Sequence, residues 1–179
     1  MARVSLIEES RHPELADLIV RIRGARRGRL INVYKLLLHS PALAETWFAH
    51  NNAVRWKTEL DGRLREMVIV RIAHLTRVQY MMRQHVPALA VPEGLTLQEC
   101  EALGAWRESR LFGERDRAVL AYADAMTRDI QVPEDVFARV KTFFGERQIV
   151  DLTVLIGTYN MTARVFQALE IDLETPGGA

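Results

Sequence analysis

The chain has 179 residues, of which 49% are hydrophobic and 26% are charged, and this balance excludes an intrinsically disordered protein. Lys and Arg number 24 against 23 Asp and Glu, so the net charge of +1 provides no overall field that would attract nucleic acid or a membrane surface. Cys100 is the only cysteine, which excludes a disulfide scaffold and a redox-active pair of thiols within one chain.

The first third of the chain predicts three helices. Apolar residues recur at helical spacing from Pro13 to Ile22, and Leu30 to Leu38 reads as a short apolar helix. Ser40 followed by Pro41 favours a helix start, because serine caps helices and proline fits the first helical position. The third helix is therefore expected from Pro41 to about Trp56.

The central segment carries a buried helical stripe from Leu64 to Leu75. The β-branched run Val68 to Val70 could instead form a strand. No other segment shows the alternating pattern of a partner strand, so we favour a helix. The segment from Val78 to Ala90 continues in helical phase, and Pro87 is expected to kink or restart it because proline lacks the N–H of a helical hydrogen bond.

The last part of the chain predicts four more helices. Thr96 followed by Glu99 has the pattern of a capping box, at the start of a helix that ends near Gly104. The other three are expected at Gly113 to Met126, Pro133 to Gly145 and Glu146 to Leu169, followed by a frayed tail over 174–179. The predicted fold is all-α, a single-domain bundle of about seven or eight helices over residues 1–179.

The beginning of the chain and its one basic cluster bear on location and partners. Met1 to Ser10 include charged residues and no apolar signal segment, and no apolar run approaches a membrane span, so we expect a cytoplasmic protein without a membrane partner. Five arginines lie between Arg21 and Arg29, which could bind phosphate, nucleic acid or an acidic neighbour. No aromatic residue interleaves them to stack on bases, so no nucleic-acid partner is expected.

Glu66 and His85 lie among residues that otherwise belong to the core, where polar groups need partners. A carboxylate and an imidazole that approach each other across a helix break could transfer protons. In the structural alternative, Glu66 forms an ion pair with a nearby arginine and His85 is a hydrogen-bonded core histidine. The candidate arginines are Arg63, Arg65 and Arg71. Spacing alone leaves both interpretations open.

The spacing Glu66, eleven residues, Val78, two residues, Met81, three residues, His85 resembles the motif of the carboxymuconolactone decarboxylase and alkylhydroperoxidase D superfamily. The resemblance extends to three segments, NVYKLLLHSPAL, LREMVIVRIAHL and LTVLIGTYNMTARVFQALEI. It implies an all-helical fold of the alkylhydroperoxidase D type with its active site on the helical pair around the motif. It also implies a homo-oligomer, whether a trimer, a hexamer or a dimer.

Departures from the motif decide the chemistry that the resemblance implies. In the peroxidase branch, cysteines fill the positions held here by Val78 and Met81, and a second histidine often stands at the position of Tyr80. A dithiol peroxidase needs two sulfur nucleophiles, which this chain lacks. The remaining alternative of that kind is a peroxidase that uses Cys100 with an external thiol.

The decarboxylase branch, which needs no cysteine, metal or organic cofactor, implies acid-base chemistry on a small carboxylate or lactone. Decarboxylation or isomerisation of such a substrate requires a proton donor and a cation that stabilises the developing negative charge. We expect Glu66 and His85 to be catalytic, with Tyr80 either an additional catalytic donor or bonded to the backbone. The expected substrate-binding residues are Arg71, Arg77, Met81, Val78 and Asn160.

Asn160 belongs to a polar patch of the last helix that would face either a pocket or a subunit boundary. No two histidines have the i, i+4 spacing of a helical zinc site, so neither a metal nor another cofactor is expected. A non-catalytic oligomeric binding protein, in which Glu66 and His85 are structural, is the second alternative.

Overall fold

The computed structural model describes residues 2–174, and the regular elements of this part of the chain are all helical. The α-helices are α1 (Ala16–Gly24), α2 (Asn32–Leu37), α3 (Pro41–Trp56), α4 (Gly62–Thr76), α5 (Gln79–His85), α6 (Leu97–Ala102), α7 (Glu114–Arg128), α8 (Glu134–Lys141) and α9 (Glu146–Leu169). No strand occurs in this range, which confirms the all-α class. The described range thus holds nine α-helices, slightly more than the seven or eight expected, and the two shortest, α2 and α6, have six residues each.

The predicted capping signals are present at the helix starts. Thr96 Oγ1 accepts a hydrogen bond from the Glu99 backbone N–H at 3.0 Å, and the Glu99 carboxylate accepts one from the Thr96 N–H at 2.8 Å. This reciprocal pair is the capping box expected before α6. Asp61 caps α4 in a similar way, because its carboxylate accepts from the Leu64 N–H at 2.8 Å. The predicted bounds of α3 and α9 agree with the structure.

Helix α4 is the most deeply buried element. Ten consecutive residues from Leu64 to Ala73 are buried, so the β-branched run within it is enclosed in a helix and needs no partner strand. A helix that is buried on all sides is normally apolar all round. Three charged side chains nevertheless lie in this stretch, Arg65, Glu66 and Arg71, and each needs a partner inside the protein.

A left-handed turn joins α4 to α5. Arg77 has a φ of 57°, and the Val78 N–H donates to the Ala73 carbonyl at 3.2 Å, which ends α4. Helix α5 ends at His85, and a π-helical turn follows over Val86–Ala90. The break expected at Pro87 is therefore confirmed, since proline cannot donate the hydrogen bond that would continue α5.

Internal contacts divide the described residues into two compact units. The first consists of residues 2–53 and 165–174, and the second of Val54–Arg164, with the boundary falling within α3 and within α9. Organisation as a single domain stays a prediction, and residues 175–179 of the tail expected to fray lie outside the described part. Within residues 2–174, no helix combines the length and apolar character that crossing a bilayer requires.

Candidate active site

Glu66 lies on α4 and has no exposed surface. Three basic side chains of the second unit surround its carboxylate: His85, Arg55 and Arg65. Its Oε2 accepts a hydrogen bond from His85 Nδ1 at 2.7 Å. Its Oε1 accepts one from Arg55 Nη2 at 2.9 Å and lies 3.7 Å from Arg65 Nε. The expected meeting of Glu66 and His85 thus occurs, and the turn between α4 and α5 brings it about.

His85 is held at the last position of α5, with 8% of its surface exposed. Within residues 2–174, the one hydrogen bond of its side chain is that from Nδ1 to Glu66. Nδ1 carries the proton, because a carboxylate can only accept a hydrogen bond. Nε2 is therefore the nitrogen with a lone pair.

The charge states of the pair follow from burial and from the neighbouring arginines. Burial alone would raise the pKa of Glu66, but the interaction with His85 and the charges of Arg55 and Arg65 outweigh it and lower this pKa to about 2. Burial lowers the pKa of His85, and repulsion from both arginines adds to that effect against the attraction of Glu66. At neutral pH, Glu66 is a carboxylate and His85 a neutral base.

Tyr159 on α9 completes the surroundings of His85. The two rings meet edge to face, with centroids 5.4 Å apart and planes at 84°. Tyr159 OH accepts a hydrogen bond from Arg55 Nη1 at 2.8 Å, so Arg55 joins the phenol to the Glu66 carboxylate. Tyr159 directly precedes Asn160, in the polar patch that was expected to face either a pocket or a subunit boundary, and the structure places its ring against His85.

Trp56 lies beside the two arginines that flank Glu66. The guanidinium carbons of Arg55 and Arg65 are each 4.9 Å from the centre of the indole ring, within cation–π distance. Trp56 itself is 54% exposed. The partly exposed indole of Trp56 therefore lies between the buried arginines beside Glu66 and the surface of the second unit.

Three of the predicted motif residues pack near the joint between α4 and α5. Val78 precedes α5, and Tyr80 and Met81 lie in its first turns; all three are buried. The structure thus places them on the same pair of helices as Glu66 and His85. Their roles in catalysis or substrate binding stay predictions.

Arg71 uses its charge elsewhere in the second unit. Its Nε and Nη2 donate to the two carboxylate oxygens of Asp124 at 2.6 and 2.9 Å, and its Nη1 donates to the carbonyls of Leu103 and Gly104. Asp124 also accepts from Arg107 at 2.6 Å. All described hydrogen bonds of the Arg71 side chain go to Asp124 and to these two carbonyls, and none goes to Glu66. Binding of substrate by Arg71 stays a prediction.

Two further predicted substrate-binding residues lie outside the Glu66 cluster. Arg77 forms the left-handed turn after α4. Asn160 donates to Thr127 Oγ1 at 2.9 Å and to the Ile156 carbonyl at 3.0 Å, and it accepts from Arg164. The described contacts of Asn160 are structural, and binding of substrate by Arg77 or Asn160 stays a prediction.

Sequence reasoning missed Arg55 as a partner of Glu66. Arg55 is the penultimate residue of α3 and is separated from Glu66 by a turn, so no helical spacing connects them. Of the arginines considered at the sequence level, Arg65 approaches Glu66, whereas Arg63 pairs with Glu99 and Asp116. A search for basic residues flanking the turn before α4 would have included Arg55.

Cys100 is buried on α6, and as the only cysteine of the sequence it has no thiol partner within the chain. Its exposed fraction is 2%, and burial, with the charge of Glu99, raises the pKa of its thiol. The backbone carbonyl of Cys100 accepts a hydrogen bond from His74 Nε2 at 2.9 Å, so the side chain of His74 has a structural partner. Among residues 2–174, no three His, Cys, Asp or Glu side chains converge as a metal site.

The basic cluster between Arg21 and Arg29 makes intrachain contacts in the first unit. Arg21 pairs with Glu45 at 2.8 Å, Arg23 pairs with Glu9, and Arg26 donates to Tyr34 OH at 2.8 Å. These contacts fit a structural role for the cluster at the surface.

The model of the carboxymuconolactone decarboxylase family matches residues 41–125, a segment that includes Glu66 and His85. The uncharacterised protein YnjA of Escherichia coli K12 is 29% identical over 119 residues, which are 65% of this chain and 64% of YnjA. The chain thus spans slightly less than two thirds of the length of that relative.

Two solved structures share the fold. An uncharacterised peroxidase-related protein from Silicibacter sp. TM1040 has a TM-score of 0.82 and 23% identity, over 97% of this chain and 92% of that one. A protein of unknown function from Agrobacterium tumefaciens, for which an AhpD-type role in antioxidant defence has been suggested, has a TM-score of 0.73 and 25% identity, over 79% and 97%. The expected alkylhydroperoxidase D-like fold is confirmed.

Proposed function

We propose that the chain is a member of the carboxymuconolactone decarboxylase and alkylhydroperoxidase D-like superfamily and an enzyme of acid-base chemistry that uses no organic cofactor. The proposed substrate is a small carboxylate or lactone, and His85 is the proton-transfer residue. The observation that carries the proposal is the 2.7 Å hydrogen bond from His85 Nδ1 to a buried Glu66 carboxylate. Glu66 fixes the tautomer and orientation of the imidazole.

A neutral imidazole paired with a carboxylate suits a proton shift. Nε2 takes a proton from the carbon beside a substrate carbonyl, and the electron pair of that C–H bond moves into an enolate. The imidazolium so formed is stabilised by Glu66, and it then returns the proton to another carbon of the conjugated system. The sum of the two steps is an isomerisation in which His85 ends as it began.

Decarboxylation at the same site follows a related course. The electron pair of the broken C–C bond stays on the substrate carbon as CO₂ leaves, and that carbon then takes a proton from His85. Because His85 is neutral at rest, it must first receive this proton from solvent. In either reaction, the charges of Arg55 and Arg65 beside Glu66 favour an anionic substrate or enolate.

The alternative of a peroxidase that uses Cys100 has less support. A peroxidatic cysteine attacks as the thiolate, and burial raises the pKa of Cys100. Similarity to peroxidase-related proteins at 23% identity concerns the fold, not the reaction. We also propose that the protein is a homo-oligomer, as the family resemblance implies, and that it is cytoplasmic, as the sequence predicts.

The test is turnover of a panel of unsaturated lactones and β-keto or conjugated carboxylates by the wild type and by His85→Ala. We expect a loss of at least about a hundredfold in kcat, the usual contribution of a positioned acid-base residue. His74→Ala is the matched control, because His74 binds a backbone carbonyl, and it should retain activity. Turnover that survives in His85→Ala would reject the proposal, and Cys100→Ser assayed with a hydroperoxide and a thiol tests the alternative.

A further inference from the structure

The guanidinium of Arg65 is buried and only partly used by the protein. Its side chain is 6% exposed, and its Nη2 donates to Glu93 Oε1 at 2.9 Å. Its Nε has no hydrogen-bond acceptor among residues 2–174, since Glu66 Oε1 at 3.7 Å lies beyond hydrogen-bond distance. Buried donors are normally paired, so this unpaired N–H requires an explanation.

Arg71, on the same helix, shows what a complete pairing looks like. Its Nε and Nη2 reach both carboxylate oxygens of Asp124, at 2.6 and 2.9 Å. Such a two-pronged contact matches the planar geometry of a carboxylate and is stronger than a single hydrogen bond. Arg65 presents the same pair of donors, Nε and Nη2, but Glu93 accepts a hydrogen bond only from Nη2.

Glu93 contacts Arg65 through one hydrogen bond, from a partly exposed position. Its side chain is 34% exposed, so solvent screens its attraction to Arg65. Gly62 leaves room for this carboxylate, because a Cβ at Gly62 would lie 1.6 Å from Glu93 Oε2. The loop carrying Glu93 therefore places a carboxylate on Arg65 without using its full binding capacity.

The charges around Glu66 also favour an exchange of carboxylates. Arg55 and Arg65 supply two positive charges, and Glu66 and Glu93 supply two negative ones. A ligand carboxylate that replaced Glu93 would preserve this balance and could engage both prongs of Arg65. It would then lie next to the carboxylate that His85 Nδ1 contacts.

We propose that Arg65 is the carboxylate-recognition residue of this site and that Glu93 occupies it in the ligand-free protein, so that an anionic substrate binds by displacing Glu93. The inference deepens the proposed function and rests on it for the identity of the reaction. It selects, among the proposed substrates, those that carry a free carboxylate.

The experiment is isothermal titration of benzoate, with neutral benzamide as the paired probe, into the wild type and two variants that free Arg65. Glu93→Ala removes the competing carboxylate, and Gly62→Ala pushes it aside by steric contact. Each variant should bind benzoate about fivefold more tightly than the wild type, which is the scale of a solvent-screened ion pair. Benzamide should bind at least about tenfold more weakly than benzoate in all three proteins.

Two controls separate displacement from general effects. Glu101→Ala removes the same charge from an exposed position of α6 and should leave the benzoate affinity at the wild-type value. The double variant Gly62→Ala/Glu93→Ala should bind no more tightly than either single variant, because both changes remove one contact. Gly62→Ala keeps the test valid if Glu93→Ala folds poorly, since alanine favours a helix more than glycine does.

Unchanged benzoate affinity in both Gly62→Ala and Glu93→Ala would overturn the inference, and so would equal binding of benzamide. The two proposals fail separately. If benzoate binding behaves as expected but His85→Ala keeps full turnover, Arg65 is a recognition residue and the acid-base function is wrong. If His85→Ala is inactive and freeing Arg65 leaves affinity unchanged, the function stands and the displacement of Glu93 is wrong.

Discussion

Replacing Glu66 with Gln removes the carboxylate that, among residues 2–174, contacts both His85 and Arg55. The size of the effect follows from the pKa of Glu66, which the folded protein lowers from 4.5 to about 2. At 1.36 kcal/mol for each pH unit, this difference corresponds to about 3 kcal/mol of the free energy of unfolding. Breaking a buried ion pair by removing one partner costs a similar 3–5 kcal/mol, on the order of what other proteins show.

The pH dependence gives the prediction its sign. Because folding lowers the pKa of Glu66, its contribution is complete above pH 4.5 and is lost as the pH falls towards 2. Glu66→Gln lacks this contribution at every pH. The wild type should therefore exceed the variant by about 3 kcal/mol at pH 7 and by only about 1.5 kcal/mol at pH 3.

Urea unfolding followed by circular dichroism at pH 7, 5, 4 and 3 measures this difference. Glu101→Gln, at an exposed position, serves as the control and should change the free energy of unfolding by less than about 0.5 kcal/mol. A difference between wild type and Glu66→Gln below about 1 kcal/mol at pH 7 would refute the reasoning. A difference that stays constant down to pH 3 would do so as well, because charge could not then be its source.

Three further substitutions test other parts of the structure. Burial lowers the pKa of His85, so wild-type stability should fall as the pH drops below 6.5, and His85→Gln should show a smaller fall between pH 7.5 and 5 by urea unfolding. Asp124→Asn weakens the pairing of buried Arg71 and should lower the free energy of unfolding by about 3 kcal/mol while the kcat of the folded enzyme is unchanged. Cys100→Ser should keep that kcat too, and activity lost with Cys100 but kept in His85→Ala would contradict the role of His85.

Local signals in the sequence were enough to predict most of the fold. The Thr96 and Glu99 pair predicts a helix start because both hydrogen bonds of a capping box lie within four residues. Pro87 predicts the end of α5 for the equally local reason that it lacks an N–H. The division into two compact units was not predicted, because it depends on which helices contact each other.

The candidate site was predicted only in part, because several of its contacts join residues that are far apart in the sequence. Glu66 and His85 were paired from the motif spacing, and the turn at Arg77 joins their helices in the expected way. Arg55 and Tyr159 are 104 residues apart and meet at 2.8 Å, which no periodicity within one helix can indicate. Arg71 was expected to bind substrate, which stays a prediction; its pairing with Asp124, 53 residues away, is another contact that no helical spacing indicates.

The state of the His85 ring is the most direct test of the account. Nitrogen-15 NMR of the imidazole side chains, with His85→Gln to assign the signal, distinguishes a protonated nitrogen from one with a lone pair. The account predicts that at pH 7 His85 is neutral, with its proton on Nδ1 and a lone pair on Nε2, and that it titrates below pH 6.5. A proton on Nε2, or an imidazolium at pH 7, would mean that His85 has no free base to offer a substrate and would contradict the proposed chemistry.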